Sequence, residues 1–301
     1  MNKLTNIYLS YIGNFLSEHD RNQWCQVSYF FRDVMMMNGI THVKYNRYIP
    51  IELPYSVTYM NIQCSYIPFI NLPQGLEVLH LGDQFNQLIT LPPNLKVLRM
   101  GDQFNQSIKL PLNLVELHMG KHFNQLIELP SSLKYLYMGK HFNLPIELPS
   151  SLKYLYMGIK FNQYIILPTN LKVLVMGVRF NQPIILPSNL TVLNMNFCFN
   201  QPIILPNTLK AFHMGILFDQ SVVLPPNLYF LSMGVRFNQP IILPDKLHVF
   251  HMGIYFNQPI VLPPTLYDLH IGENFNQLIN IPTTIKKFDR DIRSTDGQVD
   301  L

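Results

Sequence analysis

Catalytic signatures are missing from this chain. It holds no nucleophile elbow, no glycine-rich phosphate loop and no triad spacing. Its carboxylates, such as Glu116, Asp268 and Asp289, are scattered along the sequence. A polysaccharide-cleaving enzyme on a β-solenoid needs clustered carboxylates in a groove, so that class is disfavoured too. Cysteine is scarce: Cys25, Cys64 and Cys198 make an odd set with no metal-ligand spacing. A reduced compartment is the simplest reading, and no cofactor or metal is expected. No apolar run approaches a transmembrane length, and the N-terminus has no signal-peptide pattern, which points to a cytoplasmic protein without a membrane partner. The net charge of +4 is mild, and aromatics do not interleave with basic clusters, so nothing calls for nucleic acid.

What the chain does have is a period. Phenylalanine falls at residues 85, 104, 123, 142, 161, 180, 199, 218, 237, 256 and 275, always nineteen apart. So strict a spacing is the mark of a solenoid. Each unit keeps one frame: Gly, Phe-Asn, Ile, Leu-Pro, Leu, Leu, Met. The frame can be followed from residue 44 to 290 as thirteen nineteen-residue units, degenerate over 44–81, with a polar tail at 291–301. In the unit running from Gly101, the stretch Leu114–Met119 alternates as a strand, with Leu117 and Met119 inward and Glu116 and His118 outward. Gly120 is expected to turn the chain through a positive φ, and Leu129-Pro130 to form an extended far side. One coil buries too little apolar surface to stand alone, so neighbours must stack on it and the ends must be capped. Asn105 and its equivalents, with Asp219 the exception, are read as a structural turn ladder.

Residues 1–43 follow another pattern. Leu4, Leu9, Ile12, Phe15 and Leu16 fit one amphipathic helix, and Trp24, Val27, Phe31, Val34 and Met35 the apolar face of a second. Asp20 with Gln23 is a plausible cap and Gly39 a stop.

Two resemblances follow from these residues. The string Phe-Asn-Gln-Pro-Ile, at 180–184, 199–203, 237–241 and 256–260, resembles the FNIP repeat, a relative of the leucine-rich repeat. The N-terminal Leu4, Ile12, Phe15, Leu16, Asp20, Val27-Ser28, Phe31 and Arg32 resemble an F-box. Thr5 stands where that family has proline, and Ile7 where an acidic residue is common. FNIP-repeat proteins of amoebae and large DNA viruses often carry an F-box. The resemblance implies a mostly β, leucine-rich-repeat-like solenoid behind a short α-helical F-box. It implies a non-catalytic, substrate-recruiting subunit of a cullin-type ubiquitin ligase. Leu4, Ile12, Leu16, Val27 and Phe31 would then face a Skp-family adaptor, host-encoded and in the host cytoplasm if the chain is viral. The alternative is a repeat scaffold whose helices merely cap the solenoid.

Variation on the fixed frame marks where a protein target would bind. Tyr135, Tyr137, Tyr154 and Tyr156 are expected as a square on two adjacent coils, flanked by Val173, Val175, Val192 and Phe230. His251 and His270 invite a zinc reading, but no further ligands complete it. His122, His141, Lys160 and Arg179 are expected as a basic ridge. Ile166, Ile185, Ile204, Val223, Ile242 and Val261 should face outward as an apolar stripe, with self-association or a partner as its use.

Overall fold

A computed structural model of the protein describes residues 42–45, 56–65 and 71–290. The chain divides into two compact units, Met1–Pro149 and Ser150–Leu301. The expected N-terminal helices, with Leu4, Ile12, Leu16, Val27 and Phe31, lie outside the described residues, as does the 291–301 tail. Among the described residues no helix is long and apolar enough to cross a membrane.

Each unit is a parallel β-solenoid. The first contains β1 (His42–Tyr45), β2 (Tyr59–Ile62), β3 (Val78–Leu81), β4 (Val97–Arg99), β5 (Glu116–His118) and β6 (Tyr135–Tyr137). The second contains β7 (Tyr154–Tyr156), β8 (Val173–Val175), β9 (Val192–Asn194), β10 (Ala211–His213), β11 (Phe230–Ser232), β12 (Val249–His251), β13 (Asp268–Ile271) and β14 (Lys287–Arg290). Within each unit every strand pairs in parallel with the next, at equivalent positions: Val97 opposite Glu116, and Glu116 opposite Tyr135. His42 pairs with Tyr59 and Tyr59 with Val78, so the first interval is two residues short of nineteen.

Most strands are only three residues long, shorter than the alternating stretch 114–119 implies. The ladder nevertheless runs past the strand ends. Val115 and Glu116 both donate N–H to Lys96 O, at 2.8 and 3.0 Å, and Met119 donates to Tyr137 O at 2.9 Å. Two turns close in on the strand: Leu114 N–H bonds Pro111 O, and Phe123 N–H bonds Gly120 O. The same pair of turns recurs along both units, which is why Leu-Pro and Gly-x-x-Phe hold their places.

The core is a set of columns. In the first unit Phe85, Phe104, Phe123 and Phe142 are sealed from solvent, their neighbouring rings 6.2–6.3 Å apart and within 12° of parallel. In the second, Phe161, Phe180, Phe199, Phe218, Phe237, Phe256 and Phe275 repeat the file at 6.1–6.3 Å. These spacings lie in the favourable range for aromatic pairs. Leu114, Leu117 and Met119, with their equivalents, complete the interior, and no polar side chain is buried among the described residues. Phe288 of β14 is half exposed, although Phe250 and Leu269 at the same position are buried.

The asparagine column is structural, and its mechanism is specific. Asn86 Oδ1 accepts the backbone N–H of Asn105, Asn105 that of Asn124, and Asn124 that of Asn143, each at 2.9 Å. From Asn162 the second unit repeats the pattern. The glutamine side chain of the next coil also donates to the same oxygen, as Gln201 does to Asn181. A second set of links joins the proline turns. Ser132 Oγ donates to Leu112 O and Leu114 O, and Asn189 Nδ2 to Thr169 O.

The glycine column needs a correction. Gly120 does not have a positive φ; a Cβ there would instead collide with the carbonyl oxygen of Gly101. The constraint is close approach of one coil to the next, not turn conformation. Asn196 occupies this column in place of glycine and does adopt positive φ, 59°. Its side chain compensates by donating to Met176 O, while Asn194 Oδ1 accepts its backbone N–H.

Candidate functional site: the strand face

The outward positions of the three-residue strands make two columns of mostly half-buried side chains in each unit, because the residue between them is in the core. In the first unit one column runs Val78, Val97, Glu116, Tyr135 and the other His80, Arg99, His118, Tyr137. His118 is the hub. Its ring stacks on Tyr137 at 4.0 Å and 9°, and its Nε2 lies 2.5 Å from Glu116 Oε1. Arg99 Nη2 reaches the same oxygen at 3.4 Å. Tyr59 Oη contacts His80 Nδ1 at 3.2 Å. Partial burial holds the His80 pKa below its ordinary value, helped by the nearby Arg99 and His118.

In the second unit the columns run Tyr154, Val173, Val192, Ala211, Phe230, Val249, Asp268 and Tyr156, Val175, Asn194, His213, Ser232, His251, His270. Tyr154 and Tyr156 of β7 flank buried Leu155, as Tyr135 and Tyr137 of β6 flank Leu136 in the first unit. Tyr154 faces Val173 and Tyr156 faces Val175, so the expected tyrosine–valine neighbourhood exists within this unit. Phe230 lies further along, against different partners. His213 packs on it at 4.5 Å and His251 at 5.6 Å, nearly perpendicular.

This His213–Phe230–His251–His270 run is a feature the sequence columns contain but do not single out. His251 Nε2 is 3.9 Å from Asp268 Oδ1, and His270 Nδ1 is 3.5 Å from Asp289 Oδ2. Lys287 also approaches Asp268. Burial lowers the pKa of His213, with a further push from His251. Burial also lowers that of His251, against the opposing pull of Asp268. Neutral imidazoles beside a phenyl ring make an amphipathic surface that can stack and hydrogen-bond at once. Among the described residues no three His, Cys, Asp or Glu are placed to hold a metal ion.

Two other expected surfaces are described within each unit. His122 and His141 meet edge to face at 4.6 Å in the first unit, whereas Lys160 and Arg179 belong to the second. Ile166, Ile185, Ile204, Val223, Ile242 and Val261 do point outward, as alternation implies. They lie outside any strand, so no second sheet forms there among the described residues.

The FNIP Repeat model matches residues 66–103, 85–122, 123–160 and 161–198. The matched coils of residues 66–198 are thus similar to the FNIP repeat. It is similar to the solved structure of CroV588, described as a novel circular LRR protein structure, with 33% identity and a TM-score of 0.66. That likeness covers 84% of this chain and 50% of the other, so the chain spans about half its length. Weaker likenesses extend to a leucine-rich repeat protein from Bacteroides ovatus (15% identity, TM-score 0.36, covering 82% of each chain) and to YopM from Yersinia enterocolitica (16%, TM-score 0.29, covering 92% of this chain and all of the other). No curated protein sequence matches the chain significantly. The fold is thus a leucine-rich-repeat-like stack whose coils present successive half-buried outward strand positions within each unit.

Proposed function

We propose that the chain is a non-catalytic recruiting subunit. Its FNIP repeats hold a protein target on the strand face, and its N-terminal segment docks a Skp-family adaptor of a cullin-type ubiquitin ligase. The observation that carries the target half is the strand face itself. Tyr135, Tyr137, Tyr154, Tyr156 and Phe230 are half-buried aromatics on a rigid frame, the kind of anchor that dominates protein interfaces. Val173 and Val175 supply apolar surface beside Tyr154 and Tyr156. The adaptor half rests on the F-box-like residues Leu4, Ile12, Leu16, Val27 and Phe31 together with the FNIP repeats that follow them. Such a protein does no chemistry; it raises the local concentration of target near the ligase. It would work in the cytoplasm, that of a host if the gene is viral.

The test is capture of the Skp-family adaptor by the full chain. The Leu16→Arg and Phe31→Arg variants should lose the adaptor while keeping the β circular-dichroism signal of the repeats. Adaptor binding that survives both changes, or is absent from the start, leaves the chain as a repeat scaffold without a ligase role. Target capture on the strand face leaves the proline-side surface open to a further molecule.

A further inference from the structure

Six successive coils of the second unit place a β-branched residue at one outward position: Ile166, Ile185, Ile204, Val223, Ile242 and Val261, exposed by 73–90%. The first unit fills the same position with Thr90, Lys109, Glu128 and Glu147, all exposed. The frame therefore accepts polar residues here, and core packing does not require the isoleucines. Two residues earlier in each coil, Tyr164 and prolines such as Pro183, Pro202 and Pro240 also face water. Neither column carries a charge from Tyr164 to Val261.

We propose that this face is the contact between two copies of the chain. Area supports it. Hydrophobic transfer implies roughly 60–120 Å² of apolar surface per β-branched side chain. The stripe with its proline column then approaches the ~800 Å² per partner of a standard interface. An uncharged surface offers nothing to select a charged partner. The prolines have no N–H to give, so an extended peptide cannot be added here as a strand. What fits is a surface with the same ridge period, about 4.8 Å per coil. A second copy turned about a two-fold axis supplies that surface, letting each isoleucine seat between two of its counterparts. The contact leaves the strand face open.

The test is sedimentation of the full-length protein across concentration. The unaltered chain should run as a dimer, and the Ile185→Lys/Ile204→Lys double variant should halve in mass with an unchanged far-ultraviolet spectrum. Glu128→Lys, at the same position of the first unit, should leave the dimer intact. Ile204→Lys and Ile204→Glu, each monomeric alone, should recover a dimer when mixed. If lysine disturbs folding, Ile185→Thr with Ile204→Thr, which copies the native choice at Thr90, should weaken the dimer at least tenfold. A native chain that stays monomeric up to about 100 µM overturns the proposal, and so does a dimer indifferent to every stripe substitution.

Discussion

Asp219 Oδ1 accepts the backbone N–H of Asn238 at 2.9 Å, the same bond that asparagine makes at this position of the neighbouring coils. Gln239 Nε2 donates to that oxygen as well, at 3.2 Å. The ladder thus asks of its side chain only an acceptor oxygen at a fixed reach. Aspartate meets the demand, and its lack of an NH₂ group loses nothing.

It follows that Asn200→Asp should be nearly neutral, whereas Asn200→Leu should destabilise. Leucine leaves the Asp219 N–H and the Gln220 amide without their acceptor. The expected loss is about 1–3 kcal/mol, measurable by urea denaturation of the two variants side by side.

Gly234→Ala should destabilise although alanine is the better residue almost anywhere else. Its Cβ would drive into the carbonyl oxygen of Gly215, and forced overpacking of this kind costs about 1–3 kcal/mol. At Asn196 the ordering changes. Glycine suits its φ of 59° without strain, so Asn196→Gly should cost less than Asn196→Ala, which pays about 1–2 kcal/mol for the left-handed conformation. Thermal melts of the three variants give the ranking.

Phe180→Ala should be among the most damaging single changes. The ring is sealed from solvent and stacked at 6.2 Å on both Phe161 and Phe199. Truncating a buried phenylalanine costs about 3–5 kcal/mol. Phe180→Leu should recover part of the loss, and a denaturant midpoint for each variant would show whether it does.

Acid should loosen the second unit through its strand-face histidines. Burial lowers the native pKa of His213 and His251 below their unfolded value. The native state then binds fewer protons than the unfolded chain just below that value. Their stabilising contribution is fully present above about pH 6.5. It falls as pH drops through the unfolded pKa toward the lower native one. Melting temperatures from pH 7.5 to 5 should decline, and less so in His213→Gln, which removes one of the two groups.

The interior is legible in the sequence because it obeys the period. Phe85 through Phe275, Leu117 and Met119 repeat along the chain and therefore stack. The outward stripe is legible for the same reason, since Ile185 and Ile204 alternate with the buried Ile184 and Ile203. What escapes is anything decided between coils. Gly120 looks like a turn residue along the chain, yet its constraint is the carbonyl oxygen of Gly101, nineteen residues away. The glutamine bonds to the asparagine column and the Ser132 link to Leu112 and Leu114 are likewise invisible to local pattern. His213, Phe230 and His251 sit in columns that can be written out from the sequence, but their ring contacts depend on side-chain tilt. Alternation overstates strand length because it continues through Val115 and Met119, where hydrogen bonds to the neighbouring coil persist beyond the strand ends.

Many lateral bonds in these units join residues nineteen or twenty apart, as Gln201 to Asn181 and Asn200 to Asn181 do. Excising one whole coil from the second unit, such as residues 197–215, would weld like to like and shorten the molecule without disturbing any column. Removing a single residue would instead have to be absorbed by the one coil that carries the gap, as the shorter interval between β1 and β2 is. The fold therefore tolerates changes of length in steps of one coil more readily than small frame-preserving deletions inside a coil.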